Sequence, residues 1–242
     1  MQMTGTSQRR NAGRIRPVVV LTLLFLLFRP PSPVPADDAS VDLALVLAID
    51  CSFSVDAREF ALQMAGLGRA FMRPEVKQAI RHGSRQRIAV AAVQWSDENN
   101  QTVILPWTIV SGDADADELG MILSHMPRRL SQGGTSISTA LLVSNALFAT
   151  APPAERRVID VSSDGRNNIG PPVRPVRDMI VTEGVTINGL TILNEWPALE
   201  SYFTAHVVGG AGHFVMPARD FDDYAEAIYR KLLREITGPG VS

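Results

Sequence analysis

Hydrophobic positions along this chain switch between two periods. Residues 43–49 form a nearly pure aliphatic run ending at Asp50, the pattern of a strand buried on both faces. Residues 56–71 change to helical spacing, with Phe60, Met64, Leu67 and Phe71 on one stripe. Asp56 and Glu59 open that stretch three residues apart, as in a capping box. Pro74 starts a second short helix that stops near Gly83. Residues 87–95 read as a strand, 96–100 as a turn and 102–110 as the returning strand. Pro106 inside it favours a sheet edge, where a missing N–H does no harm. Helical patterns follow over 114–126 and, after the Gly133-Gly134 break, over 136–148. A second aliphatic strand, 157–162, runs into Ser163-Asp164-Gly165. Then come a helix over 173–183, a strand over 185–193, a helix over 196–206, a short strand over 213–216 and a terminal amphipathic helix over 221–236. Strands alternating with helices predict an α/β fold: a doubly wound, mostly parallel sheet with one antiparallel edge strand and helices on both faces.

The first 36 residues do not belong to that pattern. Arg9, Arg10, Arg14 and Arg16 form a positive front, and residues 18–28 are apolar apart from Thr22. Val34-Pro35-Ala36 then resembles a small-residue cleavage site. That order predicts a secretory signal over 1–36 and an exported, periplasmic or secreted product. Such a run reaches only about 16 Å as a helix, about half the hydrocarbon thickness of a bilayer. A linker over 37–40, a domain over 41–237 and a tail over 238–242 complete the expected organisation. The balance of 23 basic and 25 acidic residues changes when the leader is set aside. All five arginines before position 37 go and no acid does, which leaves a net charge of −7. No basic run remains, so nucleic acid is not an expected partner. No later apolar run is long enough for a membrane span. The single cysteine, Cys51, has no intramolecular disulfide partner and reads as a small buried residue at a strand end.

Three separated fragments carry the candidate chemistry: Asp50-Cys51-Ser52-Phe53-Ser54, Gly133-Gly134-Thr135-Ser136 and Ser163-Asp164-Gly165. Two follow aliphatic strands and one follows a glycine break. If the strands ending at Asp50 and Asp164 are neighbours, both carboxylates emerge at the crevice where doubly wound sheets hold ligands. The set offers two carboxylates and three hydroxyls, hard oxygens suited to Mg²⁺, Mn²⁺ or Ca²⁺.

In order and spacing, these fragments resemble the metal-ion-dependent adhesion site of von Willebrand factor A domains, over about 200 residues. The chain is also similar to an uncharacterised bacterial group of exported proteins of this fold. The resemblance implies that Ser52 and Ser54 bind the ion directly and that Thr135 binds directly or through water. Asp50 and Asp164 then hold coordinating waters. Negative charge kept one layer back leaves the ion electron-poor, ready for an Asp or Glu carboxylate of a partner protein. The resemblance further implies that ligation can shift the terminal helix.

The expected function is therefore an exported, cation-dependent protein-binding module. A metal-free structural or assembly protein is the first alternative, a metal-assisted hydrolase the second. The sequence holds no G-x-S-x-G elbow and no H-E-x-x-H pattern. His82, His125, His206 and His213 read as surface or packing residues. Ser136, Ser138 and Ser163 read as capping and loop hydrogen-bonders. Residues 166–168 are a candidate rim around the ion, and Glu195-Trp196-Pro197 a candidate partner-facing edge.

Overall fold

The structure, a computed structural model, describes residues 1–5 and 40–238. The leader expected over 1–36, the linker over 37–40 and the tail over 238–242 fall almost wholly outside them. The chain divides into two units, 1–33 and 34–242, and the fold below is that of the second.

Six strands form one sheet: β1 (Val41–Asp50), β2 (Ile88–Trp95), β3 (Gln101–Val110), β4 (Ala154–Ser163), β5 (Val185–Ile192) and β6 (Val215–Ala218). Their order is β3-β2-β1-β4-β5-β6. Only the β2–β3 pair is antiparallel. Strand order reverses between β1 and β4, whose register sets Ile49 beside Ser162. Asp50 and Asp164 thus leave the sheet side by side at the switch point, as the pattern of aliphatic runs predicts.

Alternation along β1 divides the core. Leu43, Leu45, Leu47 and Ile49 pack under α1 (Ala57–Met72), α2 (Pro74–His82), α3 (Asp113–Ser124) and α7 (Tyr224–Thr237). Val46 and Ala48 face α4 (Ile137–Leu147), α5 (Val173–Thr182) and α6 (Leu199–Tyr202). A residue pair with period two is thereby buried on both sides, which explains a strand without polar interruption. The α1 capping box forms: the Asp56 carboxylate accepts from Glu59 N–H and Glu59 accepts from Asp56 N–H, both at 2.8 Å.

Pro106 lies on edge strand β3, as expected. Ala92 pairs with Leu105 and Val90 with Thr108, so two residues of β3 oppose one of β2. The proline sits in that bulge, where the ladder asks for no N–H. Three elements differ from the sequence reading. The helix expected over 196–206 is the short α6, which starts two residues past Pro197, followed by a π-helical turn, Phe203–Val207. The last strand lies two residues later than expected. The terminal helix starts at Tyr224, three residues later than expected, after a turn in which the Asp220 carboxylate accepts the Asp223 N–H at 2.8 Å.

Candidate metal centre

Asp50 is the last residue of β1 and is fully buried. Its Oδ1 accepts the Ser52 N–H at 2.7 Å, and its Oδ2 accepts the Ser163 hydroxyl. A tight turn then brings Ser54 over Ser52, with hydroxyl oxygens 3.2 Å apart. The Ser54 hydroxyl donates to Asp164 Oδ1 at 2.7 Å. The first and third fragments, more than 100 residues apart, therefore meet through two side-chain hydrogen bonds.

The second fragment arrives by backbone contacts. Phe53 N–H donates to Gly133 O at 2.9 Å and Ser136 N–H to Ser96 O at 2.8 Å. Thr135 is locked to Asn168 twice: Thr135 N–H to Asn168 Oδ1 at 2.8 Å, and Asn168 N–H to Thr135 O at 2.9 Å. Ser54, Thr135, Asp164 and Gly165 line one cleft of about 460 Å³, together with Arg166, Asn168, Glu195 and Trp196. A Cβ added at Gly165 would stand 3.5 Å from the Thr135 hydroxyl, so the glycine keeps that corner open. The structure thus gathers all five predicted residues. Ser54, Thr135 and Asp164 face the cleft, while Asp50 and Ser52 are buried next to them.

Sequence reasoning overlooked one residue that shapes this centre and undervalued two others. Arg128 clamps the serine loop from behind, donating to the carbonyls of Val55 (2.7 Å), Ser52 (3.1 Å) and Cys51. Asn168 was visible only as part of a candidate rim. Ser163 does more than loop bonding, since it fixes the direction of the Asp50 carboxylate. No local pattern announces the first two, because their partners lie 33 or more residues away.

The electrostatics are unusual for paired acids. Burial pushes Asp50 up to about 6, against the pull of Ser163, Ser52 and Arg128. Burial, and then the charge of Asp50, pushes Asp164 up to about 7; Ser54 opposes this and Glu195 adds to it. Asp164 is 1% exposed and its Oδ2 has no hydrogen-bond partner. A buried, unpaired carboxylate oxygen is costly. A hard divalent cation on these oxygens would satisfy it and favour the ionised form of both acids. The donor set fits such an ion: hydroxyls and carboxylates, with no sulfur or imidazole. Among the described residues no group of three or more His, Cys, Asp or Glu is placed to hold a metal, so any ion here would need hydroxyls among its donors.

The other candidate chemistry is accounted for locally. Burial and Asp50 push the Cys51 thiol up to about 12, which keeps it unreactive. His82, His125 and His213 each set Nδ1 against a backbone carbonyl at 2.7, 2.8 and 2.7 Å. His206 lies against the Tyr202 ring, centroids 4.9 Å apart.

Solved structures share this fold. The chain is similar to proximal thread matrix protein 1 from the mussel byssus, solved with a zinc-occupied MIDAS motif (14% identity, TM-score 0.58, 82% of this chain and 49% of that one). It is similar to a von Willebrand factor type A protein from Catenulispora acidiphila (19%, 0.52, 81% and 43%). It is also similar to the pilus adhesin SpaC from Lactobacillus rhamnosus GG (12%, 0.57, 80% and 31% or less). At these identities the likeness establishes the von Willebrand factor A fold and nothing finer. The chain spans half or less of the length of each. No curated protein matches the sequence. The family described as "Protein of unknown function (DUF1194)" matches residues 40–240, and the chain belongs to it.

Proposed function

We propose that this domain is a divalent-cation-dependent protein-binding module, exported by its first 36 residues, that captures an Asp or Glu side chain of a partner protein. The observation that carries this reading is Asp164 Oδ2: buried, without a partner, at the point where three hydroxyl-bearing loops meet. Ser52, Ser54 and Thr135 would hold the ion, with Asp50 and Asp164 behind them. When bound, Mg²⁺, or Mn²⁺ or Ca²⁺ in its place, supplies a Lewis-acidic point that accepts a further oxygen. The chain's own part is orientation. Ser163 and the Ser52 N–H fix Asp50, Asn168 fixes Thr135, and Arg128 fixes the serine loop. Around the cleft Phe53 stands 75% exposed and the Arg166 guanidinium lies 5.4 Å over the Trp196 ring. Exposed aromatics and arginine are the residue types that anchor protein partners. Among the described residues no helix is long and apolar enough to cross a membrane.

Calorimetry of the purified chain with Mg²⁺ and Mn²⁺ tests the reading. Binding is expected in the wild type and its loss in Asp164→Asn and Ser54→Ala. A wild type as silent as those variants would refute the metal and leave a metal-free assembly module of the same fold.

A further inference from the structure

One carboxylate at the cleft has no part in the site as the sequence defines it. Glu195 sits on the loop between β5 and α6, and it lines both hollows that open on the candidate centre. One hollow, of about 720 Å³, is walled by Phe53, Ser54, Gly133, Gly134, Thr135 and Asn168. The other, of about 460 Å³, adds Asp164, Gly165, Arg166 and Trp196. Ser54 and Thr135 thus share both hollows with Glu195, and Asp164 shares the second. The position of the loop is constrained on either side of it. Leu193 N–H is tied to Ala218 O at 2.9 Å, Trp196 lies under Arg166, and Pro197 follows. Glu195 itself is exposed and makes no salt bridge or hydrogen bond with its neighbours among the described residues.

We propose that Glu195 is an internal carboxylate ligand of the bound cation, taking the coordination place that a partner's acid must win. This rests on the metal-binding reading above and adds a residue to it. Two independent features point the same way. The buried Asp164 Oδ2 has no donor. Glu195 nevertheless brings a further carboxylate to the same hollow, where the one cationic lining side chain, Arg166, lies over the Trp196 ring. That arrangement is repulsive without a cation and favourable with one. The hydroxyl-rich set leaves the ion short of direct anionic donors, and a flexible glutamate on the rim supplies one. The functional result is self-capping. A partner carboxylate binds only by displacing Glu195, so weak or solitary acids are rejected and a partner needs further contacts, such as those on Phe53 and Trp196.

The test uses the full chain and Mn²⁺ as probe, with free Mn²⁺ read by electron paramagnetic resonance and bound Mn²⁺ by water-proton relaxation. Wild type, Glu195→Gln, Glu200→Gln and Asp164→Asn are compared. Glu200 is an exposed acid on α6 that lines neither hollow, so it reports general charge effects. Glu195→Gln is expected to weaken Mn²⁺ about tenfold, the effect of one lost charged contact, and to raise relaxation per bound ion because one more water coordinates. Acetate is expected to lower that relaxation at smaller concentrations in Glu195→Gln than in wild type. Equal affinity and equal relaxation in wild type and Glu195→Gln, with Asp164→Asn defective, would overturn the role of Glu195 and leave the metal centre standing. Equal weakening by Glu200→Gln would also overturn it. No Mn²⁺ binding by wild type would overturn both readings.

Discussion

Beneath the terminal helix lies a dry ionic group whose pH response is calculable. Lys231 is 0% exposed, with Nζ 2.7 Å from Asp160 Oδ1 and 2.6 Å from Glu235 Oε1. Asn188 Nδ2 donates to the same Glu235 oxygen at 2.9 Å, and Glu235 Oε2 has no partner. One lysine thus faces two acids. Burial, and then the charge of Asp160, pushes Glu235 from its ordinary 4.5 up to about 7, with Lys231 and Asn188 opposing. Each pH unit between folded and unfolded values is worth about 1.4 kcal/mol, so this group is linked to roughly 3 kcal/mol of stability. The sign follows from proton counting. Between about 4.5 and 7 the folded chain holds a proton that the unfolded chain has released, so stability falls as pH rises. The contribution is fully present below about 4.5 and gone above about 7. Asp50 and Asp164 slope the same way, so the wild-type curve alone does not identify its source. Glu235→Gln removes only the Glu235 part. Urea unfolding of both proteins at pH 5, 6, 7 and 8 is expected to show the variant gaining on the wild type by roughly 2–3 kcal/mol across that range. Parallel curves would refute the assignment.

Other perturbations have simpler signs. Gly68→Ala would drive its Cβ to 2.3 Å from the Gly120 carbonyl, where α1 meets α3; a loss of about 1–3 kcal/mol in urea unfolding is expected. Asp56→Ala removes the α1 cap and costs about 1 kcal/mol by the same assay. Arg128→Ala strips the donors from three serine-loop carbonyls. It is expected to cost about 1–3 kcal/mol and to weaken Mn²⁺ in the resonance titration.

The legible parts of this chain are those where local pattern and tertiary role coincide. An aliphatic run such as 43–49 has one stable placement, a central strand, and the acid that ends it must emerge at the sheet's carboxyl edge. The same logic made Asp164 readable, and the glycine pair made Thr135 readable. Strand ends were less so. β1 begins at Val41 and includes Asp42 because its carboxylate accepts the N–H groups of Arg85 (2.8 Å) and Arg87 (3.2 Å). An acid there looks like a loop residue until the partner loop is in place. Arg128 was hidden for a similar reason: its value lies in carbonyls more than 70 residues away. Asp160 and Lys231 were hidden because a charge inside an aliphatic strand or on a helix stripe gains meaning only when the two elements pack.

That last pair also bears on motion. Residues 160 and 162 share one face of β4, since side chains alternate along a strand, and Asp164 lies one residue past its end. Asp164 meets the serine loop, Ser162 meets the Tyr224 hydroxyl of α7, and Asp160 meets Lys231. β4 therefore runs into the candidate centre at its end and grips the terminal helix below it. A one-turn slide of α7, about 5.4 Å, would pull Lys231 off Asp160 and strand both charges away from water. Breaking such a pair costs about 3–5 kcal/mol. A ligand moves the helix only if it favours the shifted state by more than that amount. The resemblance to adhesion domains implies such a shift, whereas the buried ion pair argues for a helix held in one register. Amide hydrogen exchange across α7, with and without saturating Mg²⁺, separates the two. Unchanged protection is expected in wild type. Faster exchange confined to α7 on adding Mg²⁺ would mean that the grip on Lys231 yields to the cation.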